Sequence, residues 1–178
     1  MQYRRTFIPG GTFFFTVVTE RRRKLFNDEN NIELLRQAFR KIREKHPFTI
    51  DAMVILPDHL HSIWTLPPET TDYSTRWRLI KTWFSKHCAA ELRREPNQAR
   101  KRKRQQAIWQ HRYWEHCLRD ETDFSRHVEY IHYNPVKHGY VDAPVKWPYS
   151  SFHRYVRAGD YPTDWGAGSM DFTGIGHE

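Results

Sequence analysis

The run AMVILPDHLHSIWTL, from Ala52 to Leu66, decides the fold. Pro57 and Asp58 break it into two apolar arms, so it reads as an antiparallel hairpin, one strand covering about Phe48 to Leu56 and the next carrying His59 and His61. Because successive side chains in a strand point to opposite faces, His59 and His61 share one face and Leu60 turns to the other. Met53, Val54, Ile55, Leu56, Ile63 and Trp64 make this the buried centre of a sheet. Two imidazoles on a rigid strand can converge on one metal ion. A histidine at the end of a core strand is more often a hydrogen-bonded structural residue, so the pair needs a partner before it reads as a metal site.

A second run, DFSRHVEYIHYN from Asp123 to Asn134, has helical spacing. At about 100° per residue, Phe124, Val128 and Ile131 form an apolar stripe. His127, Tyr130 and Asn134 form a second stripe about a quarter turn away, at the edge of a groove. Tyr130 and Asn134 are neighbours at i and i+4, so a phenol and an amide oxygen are offered together. Tyr133 falls opposite the apolar stripe and is expected in solvent. His127 either orients a phosphate or completes the packing.

Working outward, Phe13 to Val18 reads as the first strand, preceded by Pro9, Gly10 and Gly11. Asn30 or Asn31 is placed to cap a helix whose Ile32, Leu35, Phe39 and Ile42 repeat until Pro47 stops it. Asp72 or Ser74 is placed to cap a second helix running to about Leu92, with Trp77, Ile80 and Phe84 inward and Arg76, Arg78, Lys81 and Lys86 facing out. Ile108 to Leu118 has the alternation of a fourth strand. Asp120 or Thr122 starts the helix of Tyr130, which Pro135 is expected to end and Gly139 to reverse. The order is that of a ferredoxin-like βαββαβ antiparallel sheet, α+β in class, with one added helix that carries Tyr130. A single domain over residues 1–178 is expected, irregular after about residue 158. RNA-recognition modules share this architecture, so fold alone leaves function open.

The 178 residues include 29 Lys or Arg against 21 Asp or Glu, a formal charge of +8. This basic balance, with 15% aromatic residues, points to nucleic acid rather than membrane. No apolar stretch reaches membrane-spanning length and no signal-peptide pattern opens the chain, so a soluble, cytoplasmic protein is expected. Cys88 and Cys117 lack metal-ligand spacing and read as reduced, packed residues. The segment RREPNQARKRKRQQ, from Arg93 to Gln106, has seven cations and no large apolar side chain. It reads as a mobile loop against nucleic-acid backbone, or as a merely solvated insertion.

These residues also carry a family resemblance. PDHLH within VILPDHLHSIWTLP resembles the HUH signature of single-tyrosine transposases, two histidines flanking a hydrophobic residue. VEYIHYNPVKHGYV is similar to the tyrosine helix of REP-associated tyrosine transposases, which process palindromic repeats in bacterial genomes, and the opening YRR, GGTFFFTV and the later WPYSSFHRY are similar to that branch as well. The resemblance runs from about Tyr3 to Tyr161. It implies that His59, His61 and Asn134 bind a divalent ion, Mg²⁺ or Mn²⁺. Ligand type alone also admits zinc, although no thiolate or carboxylate completes a closed site.

It implies further that Tyr130 attacks a single-stranded DNA hairpin and forms a 5′-phosphotyrosine, leaving a free 3′-hydroxyl. An unperturbed phenol titrates near pH ~10, so it must lose its proton during attack. The bond energy is kept in the adduct, so rejoining needs no nucleotide cofactor. The cations expected on DNA are Arg4, Arg5, Arg76, Arg78, Lys81, Arg100, Lys101, Arg102, Lys103, Arg104 and Lys137. The chain is expected as a monomer or homodimer. Three other readings are a domesticated hairpin-binding protein that does not cut, an RNA-binding module with structural histidines, and a hydrolytic metallonuclease.

Overall fold

The structure, a computed structural model, describes residues 8–93, 98 and 107–176. Four strands, β1 (Thr12–Val18), β2 (Thr49–Ile55), β3 (His59–Thr65) and β4 (Trp114–Cys117), form one sheet in the order β2-β3-β1-β4. Each neighbouring pair is antiparallel. Helices α1 (Glu29–Lys45) and α2 (Tyr73–His87) contribute to the core on one side of the sheet; α3 (Glu121–Lys137) covers the other, and α4 (Phe152–Ala158) follows it.

The sheet is covered on both faces because its central strands are apolar in both registers. Phe13, Phe15 and Val17 of β1, with Leu60 and Trp64 of β3, pack with Ile32, Leu35 and Phe39 of α1 and Trp77, Ile80 and Phe84 of α2. Phe14, Val54 and Ile63 face the other way, onto Val128, Tyr130 and Ile131 of α3. Thr16 pairs with His61, and Phe14 with Ile63, so the two histidines point to the α3 side. A bulge at Asp51 shifts the β2 register between Ile50 and Ala52, which sends Ile50 to the first core and Ala52 to the second.

Element ends depart from expectation where a side chain has a better partner. Asp28, not Asn30 or Asn31, caps α1 by accepting from Asn30 N at 2.9 Å. Asn31 is buried and donates to Leu25 O. Asp72 caps α2, and the helix stops at His87, with a single 3₁₀ turn over Ala90–Leu92. The fourth strand is four residues long, shorter than the Ile108–Leu118 run. Ile108 and Trp109 still reach the sheet end, through Glu20 N to Ile108 O and a Thr19–Trp109 bridge. Asp120 caps α3, which continues past Pro135 to Lys137. A proline in a last turn forfeits one backbone bond near a frayed end, and Gly139 at φ 69° then closes the helix.

The outer edge of β2 is covered by residues 149–151, where Ile55 N donates to Tyr149 O and Ser151 N to Met53 O. Ser151 Oγ accepts from Met53 N and lies 2.8 Å from His132 Nε2, tying α3 to this edge. His132 is fully buried against Phe152, Tyr155 and Tyr161, and burial pushes its imidazole down to about 3. An unfolded imidazole takes up a proton near pH ~6.5, whereas the folded one does not until about 3. Its contribution is therefore complete above pH ~6.5 and is lost at up to about 1.4 kcal/mol per pH unit as the pH falls toward the folded value. The urea midpoint should drop between pH 7 and 5, and His132→Asn should flatten that drop; equal slopes in both proteins would contradict this.

Candidate functional site

His59 and His61 stand side by side on the α3 face of β3, ring centroids 5.0 Å apart and nearly perpendicular. Both are fully buried. Each is oriented through Nδ1: Asp58 Oδ1 lies 2.6 Å from that atom of His59, and Thr16 Oγ1 lies 2.9 Å from that of His61. The Nε2 atoms are thereby the ones presented, and His59 Nε2 is buried with no hydrogen-bond partner among the described residues. Leaving such an atom unmatched ordinarily costs about 1–3 kcal/mol, and a metal ion would satisfy it. Burial opposes ionisation of Asp58, but the hydrogen bond from His59 and the nearby Arg22 guanidinium outweigh it and hold the carboxyl below its ordinary range.

Tyr130 descends from α3 onto this pair, its ring 5.3 Å from that of His61 and 6.0 Å from Phe14. Asn134, one turn on, is fully buried. Two neighbouring imidazoles, one with a buried Nε2 that no described residue satisfies, and a buried amide one helical turn from the phenol are groups whose chemistry fits a divalent ion. Lys137 stacks its ammonium 4.9 Å over the Tyr130 ring and donates to the phenolic oxygen at 3.2 Å. It does so because α3 does not end at Pro135: seven residues are almost two full turns, which returns position 137 to the face of 130. The His138 ring lies 5.2 Å from that of His59.

The segment after α4 closes over the outside of α3. Phe172 packs on Tyr130 and Tyr133, and Tyr133 donates to Gly168 O at 2.7 Å. Tyr133 is thus buried, not in solvent; a helix wheel contains no information about a distant segment folding back. Gly176, at φ 73°, lies so close to the phenol that a Cβ there would come within 2.6 Å of the Tyr130 oxygen. Only 1% of Tyr130 is exposed.

Asp58, Thr16, His138 and Gly176 were missed by sequence reasoning. Only Asp58 had a visible signal, its place directly before His59.

The expected DNA-binding cations divide. Arg78 is exposed on α2. Arg76 is buried, its guanidinium donating to the carbonyls of Asp72 and Pro47. Lys81 also turns inward, donating to Gln110 O at 3.1 Å under the Tyr113 ring, and burial brings its ammonium down to about 7. Neither presents its cation to an incoming strand. Arg4, Arg5, Arg100, Lys101, Arg102, Lys103 and Arg104 lie outside the described residues, as does most of the basic run. His127 is buried against Phe14 and beside His116. Cys88 and Cys117 are free thiols. No helix among the described residues is long and apolar enough to cross a membrane.

Residues 11–134 match the family described as "Transposase IS200 like", a span that contains β1, the histidine strand and α3 as far as Asn134. A relative in Haemophilus influenzae, named for the REP-associated tyrosine transposases, is 45% identical over 164 residues, 92% of each chain. The REP-associated tyrosine transposase of Escherichia coli is 43% identical over 173 residues, 97% of this chain and 94% of that one. The solved structure of a REP-associated tyrosine transposase bound to a REP hairpin is similar with a TM-score of 0.81 at 42% identity, over 100% of this chain and 98% of the other. With two buried histidines facing a buried tyrosine on the same ferredoxin-like frame, the chain belongs to the REP-associated tyrosine transposases of the IS200-like family.

Proposed function

We propose that the chain cleaves and rejoins single-stranded DNA beside hairpins of repetitive extragenic palindromes, with Tyr130 as nucleophile. The observation that carries this reading is the buried wall on which Tyr130, His61 and the orphaned His59 Nε2 meet. The relative solved with a REP hairpin supports the substrate.

The Tyr130 oxygen attacks the scissile phosphorus in line; the new bond is a 5′-phosphotyrosine, and the bond broken leaves a 3′-oxygen that takes up a proton. The phenolic proton is released to solvent as the bond forms. Lys137, 3.2 Å from that oxygen, favours the negative charge that develops on it. Rejoining is the reverse displacement by a 3′-hydroxyl, and no nucleotide is consumed. His59, His61 and Asn134 are the residues that would hold a divalent ion, Mg²⁺ or Mn²⁺, which when bound polarises a phosphoryl oxygen and neutralises its charge. Asp58 and Thr16 keep both imidazoles in the tautomer and orientation that binding needs. Gly176 lies against the phenol, so a strand that reaches Tyr130 from that side displaces it.

Incubation with 5′- and 3′-labelled hairpins in Mg²⁺ or Mn²⁺ should give an upstream fragment with a free 3′-hydroxyl and a downstream fragment linked to the protein through its 5′ phosphate, both abolished by EDTA. Selective binding with no cleavage in any metal would point instead to a hairpin-binding protein that does not cut. Lys137→Met should lower the single-turnover cleavage rate by roughly 10–100-fold, the scale of removing one charge-stabilising group, with hairpin affinity nearly unchanged. A loss of affinity equal to the loss of rate would mean that Lys137 serves binding alone.

A further inference from the structure

A second cluster of ligating side chains lies on the same face of the sheet as the two histidines, with β1 between them. His116 is opposite Phe14 on β4, on the α3 side of the sheet, where Asp123 and His127 stand one turn apart on α3. One ligand atom from each of the three lies within 4.8 Å of the others. His116 Nε2 is 2.9 Å from Asp123 Oδ2, and His127 Nδ1 is 2.8 Å from the Asp123 backbone carbonyl and 3.1 Å from Asp123 Oδ1, which leaves Nε2 of His127 as its free ligand atom. The two imidazole rings lie 5.0 Å apart and within 22° of parallel.

We propose that His116, Asp123 and His127 form a second cation site, taking a borderline divalent transition ion such as Zn²⁺ and stapling β4 to the first turns of α3. Two imidazoles and one carboxylate are the donor set of three-ligand transition-metal sites that keep a position for water, and they suit Mg²⁺ poorly because it prefers oxygen. The ligands are held in place before any ion arrives. Asp123 N is fixed by the Asp120 cap at 2.8 Å, and the Asp123 carboxylate also accepts from Arg119 N at 3.1 Å. The His116 side chain is 28% exposed and those of Asp123 and His127 11% and 5%, so the cluster opens on one side.

The site is separate from that of His59 and His61. The Phe14 ring lies between, 5.4 Å from His61 and 4.9 Å from His127. Ions sharing one phosphate sit only about 3.5–4 Å apart, so this ion would hold the tyrosine helix against the sheet rather than touch the scissile bond.

The rival account is a His–Asp–His hydrogen-bond relay with no ion, and metal titration separates the two. Tag-free full-length chain, stripped with EDTA and carrying His59→Ala and His61→Ala, should bind one equivalent of Co²⁺, read by visible absorption and displaced by Zn²⁺. Adding His116→Gln or Asp123→Asn should weaken that binding by at least about 100-fold, beyond the usual effect of an outer-shell partner. Far-UV circular dichroism reports whether each variant is folded. If the His59→Ala/His61→Ala background is unfolded, the same comparison is made without it: the parent chain should take two equivalents and His116→Gln one. No bound equivalent in the folded background, undiminished binding in His116→Gln and Asp123→Asn, or equal stoichiometry in parent and His116→Gln would overturn the proposal.

Discussion

Tyr130→Phe should abolish the covalent DNA adduct and lower cleavage by at least about 10⁴-fold, the scale of losing a covalent nucleophile, while leaving hairpin affinity within about twofold. The change removes one oxygen and keeps the ring that packs on Phe14, His61 and Phe172, so the fold should survive. The Lys137 contact to the phenolic oxygen is among what is lost. Tyr133→Phe is the matched control on the same helix. It forfeits the hydrogen bond to Gly168 O and should cost about 0.5–1.5 kcal/mol in stability, with cleavage retained. Single-turnover assays on the two variants, with affinity measured alongside, decide between the tyrosines. Cleavage lost in Tyr133→Phe and kept in Tyr130→Phe would reverse the assignment.

His59→Ala and His61→Ala should each reduce cleavage by at least about 10³-fold, and added Mn²⁺ should not restore it, because an open coordination site that loses one of few ligands no longer holds its ion in place. Asp58→Asn should behave differently. It leaves both imidazoles and removes only the carboxylate 2.6 Å from His59 Nδ1, so metal affinity should fall by about 10–100-fold and cleavage should recover at saturating metal. Titrating Mn²⁺ against the cleavage rate for all three variants gives the comparison. Wild-type metal dependence in His59→Ala would mean that His59 is a core residue rather than a ligand.

Much of this frame was legible because strand and helix periods impose themselves on apolar residues. Phe13 to Val18 and Ala52 to Leu66 alternate between two buried faces, so the sheet, its hairpin and the shared face of His59 and His61 followed from spacing. What spacing could not provide was the partner of a polar group. Arg76 lies inward because the carbonyls of Pro47 and Asp72 satisfy its guanidinium, and a hydropathy pattern counts every arginine as outward. Lys81 is drawn in by Gln110 O and Tyr113 in the same way.

The site itself was half legible. The helix period places Tyr130 at the edge of the buried face and Tyr133 in solvent; both are buried, because the segment around Gly168 and Phe172 returns from more than thirty residues downstream to cover them. By sequence Lys137 is one more cation for DNA backbone beyond a helix end at Pro135; only the continued turn sets its ammonium on the phenol. Asp58, counted as a turn residue, is also the anchor of His59.

The most direct test is to trap the reaction on a single-stranded REP hairpin in Mn²⁺, digest the protein and sequence the DNA-linked peptide by mass spectrometry. The expected result is a 5′-phosphodinucleotide or longer remnant on Tyr130 of the α3 peptide, absent with EDTA. A remnant on Tyr133, or cleavage with no protein-linked product at all, would contradict the account.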